Sequence, residues 1–103
     1  MIPSDTRLAL IDQATDLVGD AISPTTYLLC VRHLRRRDID VREWHRCADL
    51  AATGHLTHHQ ARKAAGQLVA AGLLERRVHY RRRRGDKQYV EYRLHLPTEG
   101  VVQ

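Results

Sequence analysis

The sequence predicts a mainly α fold of the α+β class, and three observations predict it. Apolar residues recur at helical spacing in four stretches that end near residue 72. Two later runs alternate apolar with polar residues, as half-buried strands do, and a Gly-Asp turn separates them. Between the two regimes lies the stretch 50–74, which reads as a helix end, a tight turn, a second helix and an exit into a strand. With 103 residues the chain makes a single domain with one modest core. Four Tyr, one Trp, no Phe and many Ala make that core small and helical.

Ser4 or Asp5 can cap a first helix running to about residue 22. Leu10, Ile11, Ala14, Leu17, Val18, Ala21 and Ile22 give it a continuous apolar stripe, wide for a helix that only covers its own domain. We therefore expect part of the stripe, through Leu10, Ala14, Leu17 and Ile22, to contact a second subunit. Asp12, Asp16 and Asp20 form an acidic row at i, i+4 spacing, which is mildly unfavourable. A solvated face accounts for it; a dimer contact or a surface that repels an anionic partner are the functional readings.

Ser23 followed by Pro24 starts a second helix, with a capping hydroxyl and proline at the first helical position. It should run to Arg36 or Arg37, with Tyr27, Cys30, Val31 and Leu34 inside and Leu28 and Leu29 widening that face. Arg35, Arg36 and Arg37 then lie at its C-terminal end, where cations suit the helix dipole and where contact with phosphate is the other reading. Asp38, Ile39 and Asp40 break the helix, and Ile39 is placed in a short strand. Asp40 and Glu43 suggest a capping box for a third helix over 41–52, with Trp44 as a core anchor beside Cys47, Ala48 and Ala51.

Thr57 and Gln60 have the spacing of another capping box, and open a helix over 57–71. Ala61, Ala64, Ala65 and Leu68 form its buried stripe; His58, His59, Arg62, Lys63 and Gln67 form the other face. Gly72 is a left-handed stop. Leu74, Val78 and Tyr80 then alternate with Glu75, Arg77, His79 and Arg81; Val90, Tyr92, Leu94 and Leu96 alternate with Tyr89, Glu91, Arg93 and His95. The turn between them carries Arg81, Arg82, Arg83, Arg84 and Lys87 around Gly85 and Asp86. Pro97 ends the last strand, and 97–103 is a tail.

Charge is distributed unevenly. Residues 1–22 carry Arg7 against four Asp, a balance of −3, whereas 57–96 carry ten Lys or Arg against Glu75, Asp86 and Glu91, a balance of +7. A basic half within so small a domain implies a polyanion partner. Cys30 and Cys47 lack C-x-x-C spacing and read as reduced, buried thiols of a cytoplasmic protein. No membrane span and no signal peptide is visible. His55, His58 and His59 cluster, and His45 stands near Cys47, but no four-ligand set with zinc spacing appears, so no metal is expected. No nucleophile elbow, phosphate loop or dinucleotide fingerprint points to an enzyme, and no cofactor or small-molecule effector is implied.

The chain from 23 to 96 resembles small bacterial winged helix-turn-helix DNA-binding proteins. The resemblance rests on Leu50 and Ala51, Leu56 and Thr57, Ala61 to Ala64, Leu68, and the run Ala71, Gly72, Leu73, Leu74, Glu75. It implies a winged helix with an added N-terminal helix, 1–22, and a two-stranded β wing. The family usually has Gly directly before the Leu-Thr pair; here His55 stands there and Gly54 one place earlier. Either His55 takes a positive φ or the turn is shifted by one residue.

The function expected is sequence-specific binding of double-stranded DNA by a homodimeric transcriptional regulator. Helix 57–71 would enter the major groove with Thr57, His58, His59, Arg62, Lys63 and Gln67. Arg81, Arg82, Arg83, Arg84 and Lys87 of the wing would hold backbone or minor groove. Two alternatives stand beside this one: a plasmid or phage replication protein binding origin repeats, and a winged helix that binds protein rather than DNA.

Overall fold

Four helices and a three-stranded antiparallel sheet make up the computed structural model, which describes residues 4–80 and 88–95. In chain order these are α1 (Ser4–Leu17), α2 (Pro24–Leu34), β1 (His45–Arg46), α3 (Cys47–Gly54), α4 (His58–Ala70), β2 (Leu74–His79) and β3 (Tyr89–Leu94). The strand order is β1-β3-β2, so the hairpin of β2 and β3 gains a short third strand from ahead of α3. Among the described residues, no helix is long and apolar enough to cross a membrane.

Helix α1 stops at Leu17, five residues short of the expected end. Gly19 adopts φ +93°, and the Leu17 carbonyl accepts amides from Asp20, Ala21 and Ile22, which folds the chain back on itself. Leu10, Ala14 and Ile22 are almost wholly covered by the protein's own core, at 0–2% exposure, and Leu17 is half-buried. The expected dimer contact through these residues is therefore corrected: three of the four have no surface to offer. The exposed large apolar side chains of α1 and α2 are Leu8 and Leu28.

Helix α2 begins as expected, with the Thr26 amide donating to Ser23 Oγ and Pro24 at its first position. It ends at Leu34 rather than at Arg36 or Arg37. Arg36 instead reaches Asp38 at 2.6 Å, and Asp49 and Thr53 of α3 at 3.2 and 2.8 Å. The inner face is also rotated from the expected one. Thr26, Leu29, Cys30, His33 and Leu34 are buried, Tyr27 and Val31 are half-buried, and Leu28 is exposed. Two polar residues on the inner face hid its direction from an apolar count.

The expected helix over 41–52 forms only from Cys47. Asp40 does bond the Arg42 amide, but it also pairs with the Arg42 guanidinium, and the segment stays a turn. His45 and Arg46, rather than Ile39, supply the short strand, in register with Tyr92 and Glu91. Trp44 is not a core anchor. It is half-buried on the outer side of the sheet, with the Arg77 and Arg93 guanidinium carbons 4.3 and 4.5 Å from a ring centroid. Of the expected inner residues of this stretch, Cys47 is buried, Ala51 half-buried and Ala48 exposed.

The turn between α3 and α4 settles the alternatives left at Gly54 and His55. His55 takes the left-handed conformation, φ 56° and ψ 45°. The Leu56 amide donates to Ala51 O at 2.9 Å and the His55 amide to Ala52 O at 3.4 Å, a Schellman closure. Helix α4 ends the same way around Gly72 at φ +83°, with Leu73 bonded to Leu68 O and Gly72 to Val69 O. Gly54, one place before the left-handed residue, is needed for space. A Cβ there would lie 2.9 Å from Leu29 Cδ1 and 3.1 Å from Leu56 Cδ1.

Two predictions follow from this packing. Gly54→Ala should cost about 1–3 kcal/mol through overpacking, while His55→Gly should hold or raise stability by relieving a left-handed non-glycine residue. Urea denaturation midpoints of the two variants check this contrast. The second concerns His33, whose imidazole is pushed down to about 4 by burial, helped by the neighbouring His45, Arg36 and Arg7, with Asp49 opposing. The unfolded chain takes up this proton near pH 6.5. Stability is therefore whole above that pH and falls as pH drops toward 4, by about 3 kcal/mol in all. His33→Leu should flatten the slope of stability against pH in that window.

Candidate nucleic-acid interface

Helix α4 owes its place to small side chains on one face and its start to a complete capping box. Gln60 N–H donates to Thr57 Oγ1 at 3.1 Å, and Thr57 N–H donates to Gln60 Oε1 at 3.0 Å. Ala61, Ala64, Ala65 and Leu68 are buried, so the helix packs closely on α2 and α3. The opposite face leaves His58, His59, Arg62 and Lys63 exposed over its first two turns. Thr57 is exposed too, but its hydroxyl is committed to the cap.

Gln67 sits differently from its expected role as a reader. Its Oε1 accepts from the Ser23 amide at 2.9 Å and from Thr26 Oγ1 at 2.7 Å. That oxygen pins α4 to the start of α2 and is unavailable to a ligand. The wing residues Arg81, Arg82, Arg83, Arg84 and Lys87 lie outside the described residues.

Between the first turns of α4 and the hairpin lies a groove of about 500 Å³. Arg46 and Cys47, His58 and Arg62 of α4, and Arg76, Tyr89, Val90 and Tyr92 of the sheet are among the residues that line it. Tyr92 is buried below it. Its hydroxyl is pushed up by burial and by Cys47, against the pull of Arg76 and Arg62. The Cys47 thiol is likewise pushed up by burial against the pull of Arg62. Both cysteines are free and buried.

Charge pairing separates this surface from the rest. Arg36, Arg42, Arg77 and Arg93 each have a carboxylate within 4 Å: Asp38 and Asp49, Asp40, Glu91 and Glu75 respectively. Among the described residues, Arg46, Arg62, Lys63 and Arg76 have no such partner, and they surround α4 and its groove. Arg7, Arg32, Arg35 and Arg37 are also without a carboxylate partner and do not line the groove; Arg7 is buried and Arg32 donates to the Gly54 carbonyl.

Sequence reasoning found Arg62 and Lys63 and missed Arg46 and Arg76. Arg76 left a signal: it occupies an inward position of β2, between Leu74 and Val78, where a charge needs a reason. Arg46 left none, because its segment read as helix interior.

No protein-family model, no curated protein and no solved structure matches the chain.

The Gln67 bonds carry a stability prediction. Gln67→Leu should destabilise by about 1–3 kcal/mol, since it strands two donors at the α2 start. Thermal denaturation of this variant beside Lys63→Ala, which should be nearly neutral, checks it.

Proposed function

We propose that the protein binds double-stranded DNA as a winged helix-turn-helix module, with α4 in the major groove and the hairpin against the flanking backbone. One observation carries the reading: Arg46, Arg62, Lys63 and Arg76, which have no carboxylate partner, gather on α4 and the groove beside it, while Arg77 and Arg93 on the outer sheet face are paired. Leaving adjacent cations unpaired is unfavourable in the isolated protein. A polyanion makes the same arrangement favourable by replacing condensed counterions.

The geometry suits a duplex. Thirteen residues make α4, a rod of about 20 Å, and a major groove about 12 Å wide admits such a helix. Arg62 lies one turn inside it, where a guanidinium can make two hydrogen bonds to a guanine edge. Lys63 and the two histidines lie nearer the phosphates. Transcriptional regulation is the biological role that this chemistry serves most directly. Pairing of two copies would set two α4 helices roughly 34 Å apart, or a multiple of that, and has to use surface other than Leu10, Ala14 and Ile22.

Fluorescence anisotropy over a salt series tests the proposal, with duplexes selected from a random pool and scrambled versions of them. Affinity should fall steeply with salt, and Arg62→Ala should cost about 1–3 kcal/mol on the selected duplex and flatten preference at one base pair. Absence of duplex binding at low salt, or binding that ignores Arg62 and Lys63 together, overturns it.

A further inference from the structure

Arg46 differs from the other unpaired cations of the groove in being held before any ligand arrives. Strand β1 is two residues long and delivers Arg46 to the groove mouth just before α3 turns away. Its guanidinium carbon lies 3.8 Å from the centroid of the Tyr89 ring. From the strand on the other side of β3, His79 stacks on the same tyrosine, with centroids 4.3 Å apart and planes 16° from parallel. His79 is itself fixed, its Nε2 lying 2.6 Å from Glu91 Oε1, and Glu91 also holds Arg77 at 2.8 Å. The row therefore runs across all three strands: Arg46 from β1, Tyr89 from β3, His79 from β2, with Glu91 as the anchor.

We propose that this row makes Arg46 a preset phosphate clamp, gripping one strand of the duplex backbone while α4 lies in the major groove. The proposal rests on the duplex-binding reading above and names a residue and a mechanism within it. A guanidinium lying over a ring uses its face and leaves its edge of N–H donors free, and that edge matches the fork of a phosphate. Stacking also removes rotamers that a free arginine would have to give up on binding. Glu91 is the register partner of Arg46 and shares its sheet face, but its carboxylate pairs with Arg77 and His79, at 2.8 and 2.6 Å, and makes no ion pair with Arg46. Tyr89 is here a positioning residue, acting on the ligand through Arg46.

The test uses the full chain and two labelled duplexes, one selected from a random pool and one a scrambled version of it, over a salt series. Arg46→Ala should lower the salt slope by about 0.9, one phosphate contact, and weaken selected and scrambled duplexes by the same factor. Tyr89→Leu should weaken binding by roughly two- to fivefold, the worth of one exposed cation–aromatic contact. Tyr89→Phe, which keeps the ring, should restore wild-type affinity. The double variant Arg46→Ala with Tyr89→Leu should bind no worse than Arg46→Ala alone, because Tyr89 has no other route to the ligand. Thermal melts of each variant separate a binding loss from an unfolded protein. If Tyr89→Leu proves unfolded, the proposal stands or falls on the Arg46→Ala slope and on Tyr89→Phe. An unchanged salt slope in Arg46→Ala, or losses that add in full, overturns the clamp while leaving the α4 reading intact. A wild-type protein that binds no duplex overturns both.

Discussion

Close approach is the constraint on which the rest of the structure depends. Ala61, Ala64 and Ala65 present only methyl groups to the core, and Gly54 presents none, so α4 can lie against its neighbours at short range. That closeness has a cost. Methyl groups bury little apolar area, and each one adds little to stability. Polar pins make up part of the difference. Gln67 ties α4 to Ser23 and Thr26, Arg36 ties the end of α2 to Asp49 and Thr53, and Arg32 bonds the Gly54 carbonyl at 3.1 Å. Helix α4 is thus placed by directional bonds as much as by hydrophobic burial, and a groove beside it keeps its shape.

Features that depend on a few adjacent residues were legible in the sequence. The Thr57–Gln60 box, the Ser23-Pro24 start, the stop at Gly72 and the alternation around Tyr92 and Leu94 all appear in the structure. Where neighbours in space decide, the reading drifted. The Asp40–Glu43 pattern resembles a cap, yet sheet pairing claimed His45 and Arg46 and delayed α3 to Cys47. Trp44 looked like core because of its size, but two arginines cover its faces at the sheet surface. Thr26 and His33 are buried because α4 and α3 surround them, which no count of apolar residues on α2 can show. For the candidate site, the helix half was legible and the sheet half was not. Arg62 follows from helical spacing, whereas Arg46 joins it only through the β1–β3 pairing.

The arginines of this chain divide into two populations by what surrounds them. On the outer sheet face they pair with Glu75 and Glu91 and cover Trp44, so their charge is spent locally on structure. Beside α4, Arg62 and Arg76 are exposed and have no carboxylate within 4 Å. Net charge alone would not distinguish a protein that scatters its cations from one that concentrates the unpaired ones.

The strand order has a consequence for how copies of this chain meet. Among the described residues β2 has β3 as its sole neighbour, so one side of Leu74–His79 carries backbone amides and carbonyls with no strand beside them. Such an edge is a template for aggregation by strand addition. Here the edge strand reads Glu75, Arg76, Arg77 in succession. Charged side chains along an edge are one of the ways in which strand addition is discouraged. The strand that lends Arg76 to the groove thus also bears on colloidal behaviour: substitutions that remove charge from β2 would act on precipitation as well as on ligand binding.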